Sequence, residues 1–130
     1  MNNLLFLCVA NSARSQMAEG LARQLFGQNV RVQSAGSHPS NVNPLAVKVM
    51  QEIGIDISQQ TSKSVDMVDA DAVDTVITLC RQEICPIVLT TARQMHWPLT
   101  DPATGASDQD ARLQSFREVR DEIAKRLKSL

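Results

Sequence analysis

A continuous apolar run, Leu4-Leu5-Phe6-Leu7, leads straight into Cys8-Val9-Ala10-Asn11-Ser12-Ala13-Arg14-Ser15, and a helical pattern begins directly afterwards. This order of strand, tight loop and helix N-terminus restricts the possible folds more than any other feature. An apolar run without alternation fits a strand buried on both faces, which belongs in a parallel sheet. The loop after it can aim several backbone N–H groups at one point, where the helix dipole adds positive potential. Arg14 brings a planar fork suited to the edge of an oxyanion. A cysteine held in such a field is stabilised as the thiolate, the nucleophilic form. The stretch reads as a thiolate, Cys8, facing a tetrahedral oxyanion cradled by residues 9–15. Cysteine is also a common small buried hydrophobe, and Cys-x5-Arg recurs by chance. The strand–loop–helix setting is what favours chemistry.

The rest of the chain repeats the alternation of strand and helix. Residues 16–26 place Met17, Ala18, Leu21, Ala22, Leu25 and Phe26 on one helical face, with Gly27 as the C-terminal cap. Residues 30–34 alternate and predict a short strand, and residues 35–43 are loop by composition. Asn43-Pro44 predicts an N-cap and first helical residue, opening a helix with Leu45, Val49, Met50 and Ile53 inward that stops at Gly54. Residues 64–70 suggest a short helix, residues 74–79 a buried strand ending in Cys80, and residues 94–97 a last short strand. Residues 111–130 form an amphipathic helix with Leu113, Phe116, Val119, Ile123, Ala124 and Leu127 on one face. Arg117–Asp121 and Glu122–Arg126 are spaced as i,i+4 pairs on the other. The pattern predicts a single α/β domain over residues 1–130, with a four-stranded parallel sheet and helices on both faces. Ligands of such sheets sit at the carboxyl ends of strands, near a topological switch point. If the strands ending at Cys8 and Cys80 are neighbours, both thiols reach one crevice.

Composition excludes several classes. With 13 Lys+Arg against 14 Asp+Glu, a net charge of −1, nothing global marks a nucleic-acid partner, so any anion site is local. No apolar run approaches the roughly 18–20 residues of a membrane span. The first residues lack the basic region and apolar length of a signal peptide, so a cytoplasmic protein is expected. Three cysteines, an odd number, argue against a secreted disulfide framework and for redox or catalytic use. His38 falls in a loop and His96 beside Trp97, where both read as bland; Asp108 and Asp110 read as caps of the last helix. Asp66, Asp69, Asp71 and Asp74 lack metal-loop spacing and read as surface charge.

The run from Cys8 through Asn11, Ser12, Arg14 and Ser15-Gln16-Met17-Ala18-Glu19-Gly20 resembles the thioredoxin-coupled arsenate reductases, which share the low-molecular-weight tyrosine phosphatase fold. The resemblance continues through Ser34-Ala35-Gly36, Val42-Asn43-Pro44, Thr61-Ser62, Leu79-Cys80, Cys85-Pro86, Asp101-Pro102 and residues 116–123. It implies that Cys8 is the nucleophile, that Arg14 holds the oxyanion, that Ser15 bonds to the thiolate and that Asp101 is the general acid. Cys80 and Cys85 are implied as resolving cysteines. The implied substrate is arsenate, with phosphate or sulfate as analogues. Thioredoxin or a glutaredoxin–glutathione system is the implied reductant, no metal or organic cofactor is required, and a monomer is expected. Some members bind potassium through residues matching Asn11, Glu19, Ser34 and an acidic residue after Thr61-Ser62; here that last position is Lys63, whose ammonium replaces the cation in this reading.

Four residues separate Cys80 from Cys85. In one regular helix they would face different directions, roughly 8 Å apart, whereas disulfides want Cα atoms within about 7 Å. The segment is therefore expected to unwind or loop out when that bond forms. The main alternative is a low-molecular-weight protein tyrosine phosphatase using Cys8, Arg14 and Asp101, with water completing the reaction. Such phosphatases carry aromatic residues just after the Asp-Pro. Here Ala103-Thr104-Gly105 follow, and the chain has no tyrosine. A non-enzymatic three-thiol metal binder is disfavoured because Arg14 would repel a cation.

Overall fold

The computed structural model describes residues 1–81, 92–103 and 108–130. Four strands form one sheet: β1 (Asn3–Cys8), β2 (Arg31–Gly36), β3 (Thr75–Thr78) and β4 (Arg93–His96). The order is β2-β1-β3-β4 and every neighbouring pair is parallel. Among the described residues the longer helices are α1 (Arg14–Phe26), α2 (Pro44–Gln51) and α3 (Gln109–Lys128). This is the single α/β domain with a four-stranded parallel sheet that the alternation predicts.

Strand β1 explains the layering. Its side chains alternate between the two faces of the sheet, and Leu4 to Leu7 are all fully buried. Leu4 and Phe6 join Ile77 and Val32 in the main core, with Met17, Ala18 and Leu21 of α1, Val49 and Met50 of α2, and Phe116, Ile123 and Leu127 of α3. Leu5 and Leu7 join Ala35, Val73 and Val76 on the opposite face, where Val65 and Val68 pack against them. The segment that supplies Val65, Val68 and Val73 forms two 3-10 turns, Val65–Met67 and Ala70–Ala72, in place of the single short helix expected over residues 64–70.

Local signals set the element ends where they can act locally. Asn43 Oδ1 accepts from Leu45 N at 2.9 Å with Pro44 at the first helical position, and Asp108 Oδ1 accepts from Ala111 N at 2.8 Å. Both caps match the sequence reading. Gly27 ends α1 at φ 61°. Of the boundaries that move, two bear on packing. Strand β2 runs on through Ala35 and Gly36 because Leu7 and Cys8 of β1 pair with them. Helix α2 stops at Gln51, so Ile53 lies outside it and is 42% exposed, and Ala46 takes the inward place.

The charged face of α3 is less exposed than its periodicity suggests. Arg117 does not pair with Asp121. Its Nε and Nη2 instead grip the two oxygens of Glu52 at 3.0 and 2.8 Å, and Arg120 Nη1 reaches Glu52 Oε1 at 3.0 Å and Val49 O at 2.8 Å. A carboxylate at the end of α2 offers the two-pronged geometry that a guanidinium favours. The expected Glu122–Arg126 pair does form, at 2.9 Å. Hydrogen bonding from Arg117, opposed by partial burial and reinforced by Arg120, lowers the Glu52 pKa from 4.5 to about 2. A carboxyl group with a depressed folded-state pKa stabilises the fold above its unfolded value and loses that contribution as pH falls through the folded one. In urea unfolding, the stability gap between the parent and Glu52→Gln is therefore constant near neutrality and closes as pH drops from 4.5 towards 2. A gap that persists unchanged at pH 2 would show that Glu52 acts through packing alone.

Asp74 also departs from the surface-charge reading. Its Oδ2 accepts from the backbone N–H groups of Asn2 and Asn3 at 2.7 and 2.8 Å, and Thr75 Oγ1 donates to its Oδ1 at 2.8 Å. Burial pushes its carboxyl up, but these bonds and the nearby amino terminus together hold it below the usual carboxylate range. It fastens the start of β1 to the start of β3.

Candidate active site

Sheet order reverses between β1 and β3, so a crevice opens at their carboxyl ends. Cys8 ends β1, and Leu79 N donates to Leu7 O at 2.9 Å just beyond β3, which brings Cys80 to the same rim. The adjacency that the sequence reading left conditional holds. Cys8 is a free thiol, 2% exposed, and Cys80 is buried and disulfide-bonded. Cys85 and the rearrangement expected of its segment lie outside the described residues.

A pocket of about 140 Å³ lies over Cys8, lined by Ala10, Ser12, Ala13, Arg14, Ser40, Asp101 and Ala103. Its size suits a small tetrahedral oxyanion, and no aromatic ring among the described residues lines it. Asp101, distant in the chain, meets Cys8 and Arg14 here. Ser15 Oγ lies 2.9 Å from Cys8 Sγ, and no side chain caps α1, whose N-terminus borders the pocket. Arg14 is 5% exposed; its Nη1 donates to Leu99 O at 3.0 Å and, at the longer distance of 3.5 Å, to Leu79 O, and its Nη2 stands 3.9 Å from Asp101 Oδ2. Arg14 thus braces the segments that follow β3 and β4 while facing the pocket. Neither His38 nor His96 lines it: His38 is an exposed loop residue and His96 Nδ1 bonds to Thr78 Oγ1 at 2.6 Å.

Asn11 is the keystone of the loop. It has φ 48°, a left-handed conformation uncommon for any residue but glycine. Its side chain compensates with a full set of partners. Nδ2 donates to Ser15 Oγ at 2.7 Å and Ser34 Oγ at 2.9 Å, while Oδ1 accepts from Gln16 Nε2 at 3.0 Å and Lys63 N at 2.7 Å. Gln16, missed as a site residue in the sequence reading, also reaches Asn11 O and Thr61 O. From Ser34 the chain of bonds continues: Ser34 Oγ donates to Glu19 Oε1 at 2.6 Å. Lys63 Nζ is 3.4 Å from the same oxygen and 2.7 Å from Thr61 O, and Arg23 Nη2 is 3.1 Å from Glu19 Oε2. Asn11, Ser34, Glu19 and Lys63 are therefore together, as the sequence reading expects. Both Glu19 oxygens already face protein cations, so a potassium ion there would meet like charge. No cluster of three or more His, Cys, Asp or Glu suited to a metal occurs among the described residues.

Gly36 is a second residue whose role no local signal reveals. A Cβ at this position would lie 2.4 Å from Val9 O and 2.9 Å from both Cys8 O and Asn11 N. The loop after β1 rests directly on the Gly36 backbone, and Gly36 N in turn donates to Lys63 O at 2.8 Å.

A free thiol at a strand end, an arginine in its pocket and a helix N-terminus beside it form an arrangement in which a thiol can meet a small oxyanion. The chain belongs to the low-molecular-weight phosphotyrosine protein phosphatase family, whose model matches residues 3–130. An arsenate reductase of Halalkalibacterium halodurans is 44% identical to it over 128 residues, covering 97% of this chain and 92% of that one. A solved arsenate reductase in its phosphate-binding state superposes with a TM-score of 0.83 at 38% identity, covering 99% and 95% of the two chains. A thioredoxin-dependent arsenate reductase of Corynebacterium glutamicum superposes with a TM-score of 0.74 at 30% identity, covering 99% of this chain and 59% of that one. No helix among the described residues is long and apolar enough to cross a membrane.

Proposed function

We propose that the chain reduces arsenate to arsenite through a relay of thiols. The observation that carries this reading is the placement of Cys8 and Cys80 at the ends of neighbouring parallel strands, with Arg14 and Asp101 in the pocket of Cys8. The names of the relatives support the substrate, and the Corynebacterium neighbour supports thioredoxin as reductant. Cys8 thiolate attacks arsenic, an arsenic–oxygen bond breaks, and Asp101 supplies the proton to the leaving oxygen. Arg14 and the loop N–H groups hold the remaining oxygens. Cys80 thiolate then attacks the Cys8 sulfur. The sulfur–sulfur bond forms, the sulfur–arsenic bond breaks, and its electron pair stays on arsenic, which leaves as arsenite. Cys85 thiolate attacks Cys80, releasing Cys8 as thiolate and leaving a Cys80–Cys85 disulfide for thioredoxin, or a glutaredoxin–glutathione system, to reduce. A free Cys8 beside a disulfide-bonded Cys80 is the arrangement that this last exchange leaves. A relay recycled by thiol reductants fits the reducing cytoplasm, and the chain works as a monomer in this reading.

The direct test supplies arsenate with thioredoxin, thioredoxin reductase and NADPH, and separately with glutaredoxin and glutathione, and measures arsenite. Sustained arsenite formation with either system supports the reading. Phosphate-ester hydrolysis without any arsenite formation replaces it with the phosphatase alternative, which the family description favours. Lys63 takes the place of a bound cation in this reading, so turnover is unchanged when potassium replaces sodium at constant ionic strength. A strong rise with potassium alone would show that the ion enters despite Lys63 and Arg23.

A further inference from the structure

Two segments that carry chemistry run side by side at the rim of the sheet. Residues 79–81 follow β3 and include Cys80; residues 99–101 lie beyond β4 and include Asp101. Leu99 N donates to Leu79 O at 3.2 Å, and Arg14 Nη1 bridges the carbonyls of the same two residues. Further along, Arg81 Nη1 donates to Thr100 Oγ1 at 2.7 Å. Arg81 directly follows Cys80, and Thr100 directly precedes Asp101. The Asp101 side chain is 37% exposed, with its Oδ1 turned to Ala103 N at 3.0 Å. Burial does little to fix such a side chain; Ala103 N and Arg14 Nη2 face its two oxygens, and the backbone at residues 100–101 sets where the carboxyl starts from.

We propose that Arg81 is a positioning residue for Asp101, acting through the Thr100 hydroxyl. The proposal rests on the reading of Asp101 as general acid. An acid must come within hydrogen-bond reach of the leaving oxygen, and a misplacement of about 1 Å costs up to a hundredfold in rate. The guanidinium is a rigid donor that keeps its charge at every working pH, so the tie does not titrate away. Because Arg81 is bonded to Cys80, any displacement of that cysteine passes to Thr100 and on to the acid. The tie therefore couples the first step of the reaction to the position of the thiol used in the second.

The test is a double-mutant cycle of Arg81→Met and Thr100→Val, with Thr100→Ser as the conservative variant. Steady-state arsenate kinetics and the amide resonance of Ala103 are the readouts. Each single substitution lowers kcat roughly tenfold with KM little changed, and the double variant falls no further, because the two groups act as one unit. Thr100→Ser keeps the parent kcat. The Ala103 resonance shifts in both single variants, since its partner Asp101 has moved. Additive losses, a change confined to KM, or an unmoved Ala103 resonance would overturn the proposal. Asp101→Asn separates this from the reading beneath it. If that variant turns over normally, the acid assignment fails; if the parent makes no arsenite at all, the reductase reading fails. In either case the Ala103 resonance alone decides whether Arg81 places Asp101.

Discussion

Serine at position 8 abolishes arsenite formation, while serine at position 80 or 85 stops the reaction at different, identifiable points. The Cys8→Ser hydroxyl has the right reach but is not ionised, so no bond to arsenic forms. Losing a nucleophile that acts as a unit with its neighbours costs on the order of 10⁴-fold or more. Cys80→Ser leaves the pocket, Arg14 and Asp101 intact. The arsenic adduct of Cys8 can form, but no internal thiol reaches the sulfur, and arsenite formation falls to the background supplied by external thiols. Cys85→Ser reduces one arsenate per protein and halts, with Cys8 and Cys80 joined. Peptide mapping of the halted protein identifies that bond. Phosphate-ester hydrolysis needs water in place of a second thiol, so a phosphatase loses activity only in Cys8→Ser. Full arsenate turnover in Cys80→Ser would refute the relay.

Gly36→Ala is expected to cost roughly a hundredfold in kcat/KM without unfolding the protein. The added methyl has nowhere to go. Its three nearest contacts, at 2.4, 2.9 and 2.9 Å, are backbone atoms of Val9, Cys8 and Asn11, and Gly36 is itself paired to β1 and held by Lys63 O. Flexible side-chain tips could yield; these are backbone atoms at the end of β1 and in the loop beside the Cys8 pocket. Relief comes from lifting that loop, which moves Asn11 off Ser15 and Ser34 and shifts the N–H groups away from the pocket. Calorimetric titration with phosphate should show weakened binding, and the circular dichroism spectrum should match the parent. Parent-like phosphate affinity and kinetics would mean that the loop accommodates the methyl without losing its shape.

How much was readable in advance follows from the range of each interaction. The Leu4–Leu7 run, the Asn43-Pro44 and Asp108 caps and the Glu122–Arg126 pair act within a turn or a strand, and each appears as read. Cys8, Arg14 and Asp101 were named from the sequence, and they line one pocket. Other features depend on what lies across the fold. Arg120 and Arg117 sit on what periodicity marks as a solvent face, but Glu52 from α2 meets them there. Asp74 takes one hydrogen bond from its neighbour Thr75, but two more come from N–H groups at the start of β1, over seventy residues away. Ile53 continues the apolar spacing of α2, yet the helix ends before reaching it.

The sequence by itself determined the strand–loop–helix that sets Cys8 beside a helix N-terminus, because a buried apolar run, a short loop and a helix start are specified by neighbouring residues. It also determined the order of strands and helices. Only the tertiary structure decided that β3 lies beside β1, that Asp101 closes the pocket and that Gly36 supports the loop. Those outcomes depend on sheet register and on contacts between residues distant along the chain, where each group's partner is chosen by the packing of the whole domain.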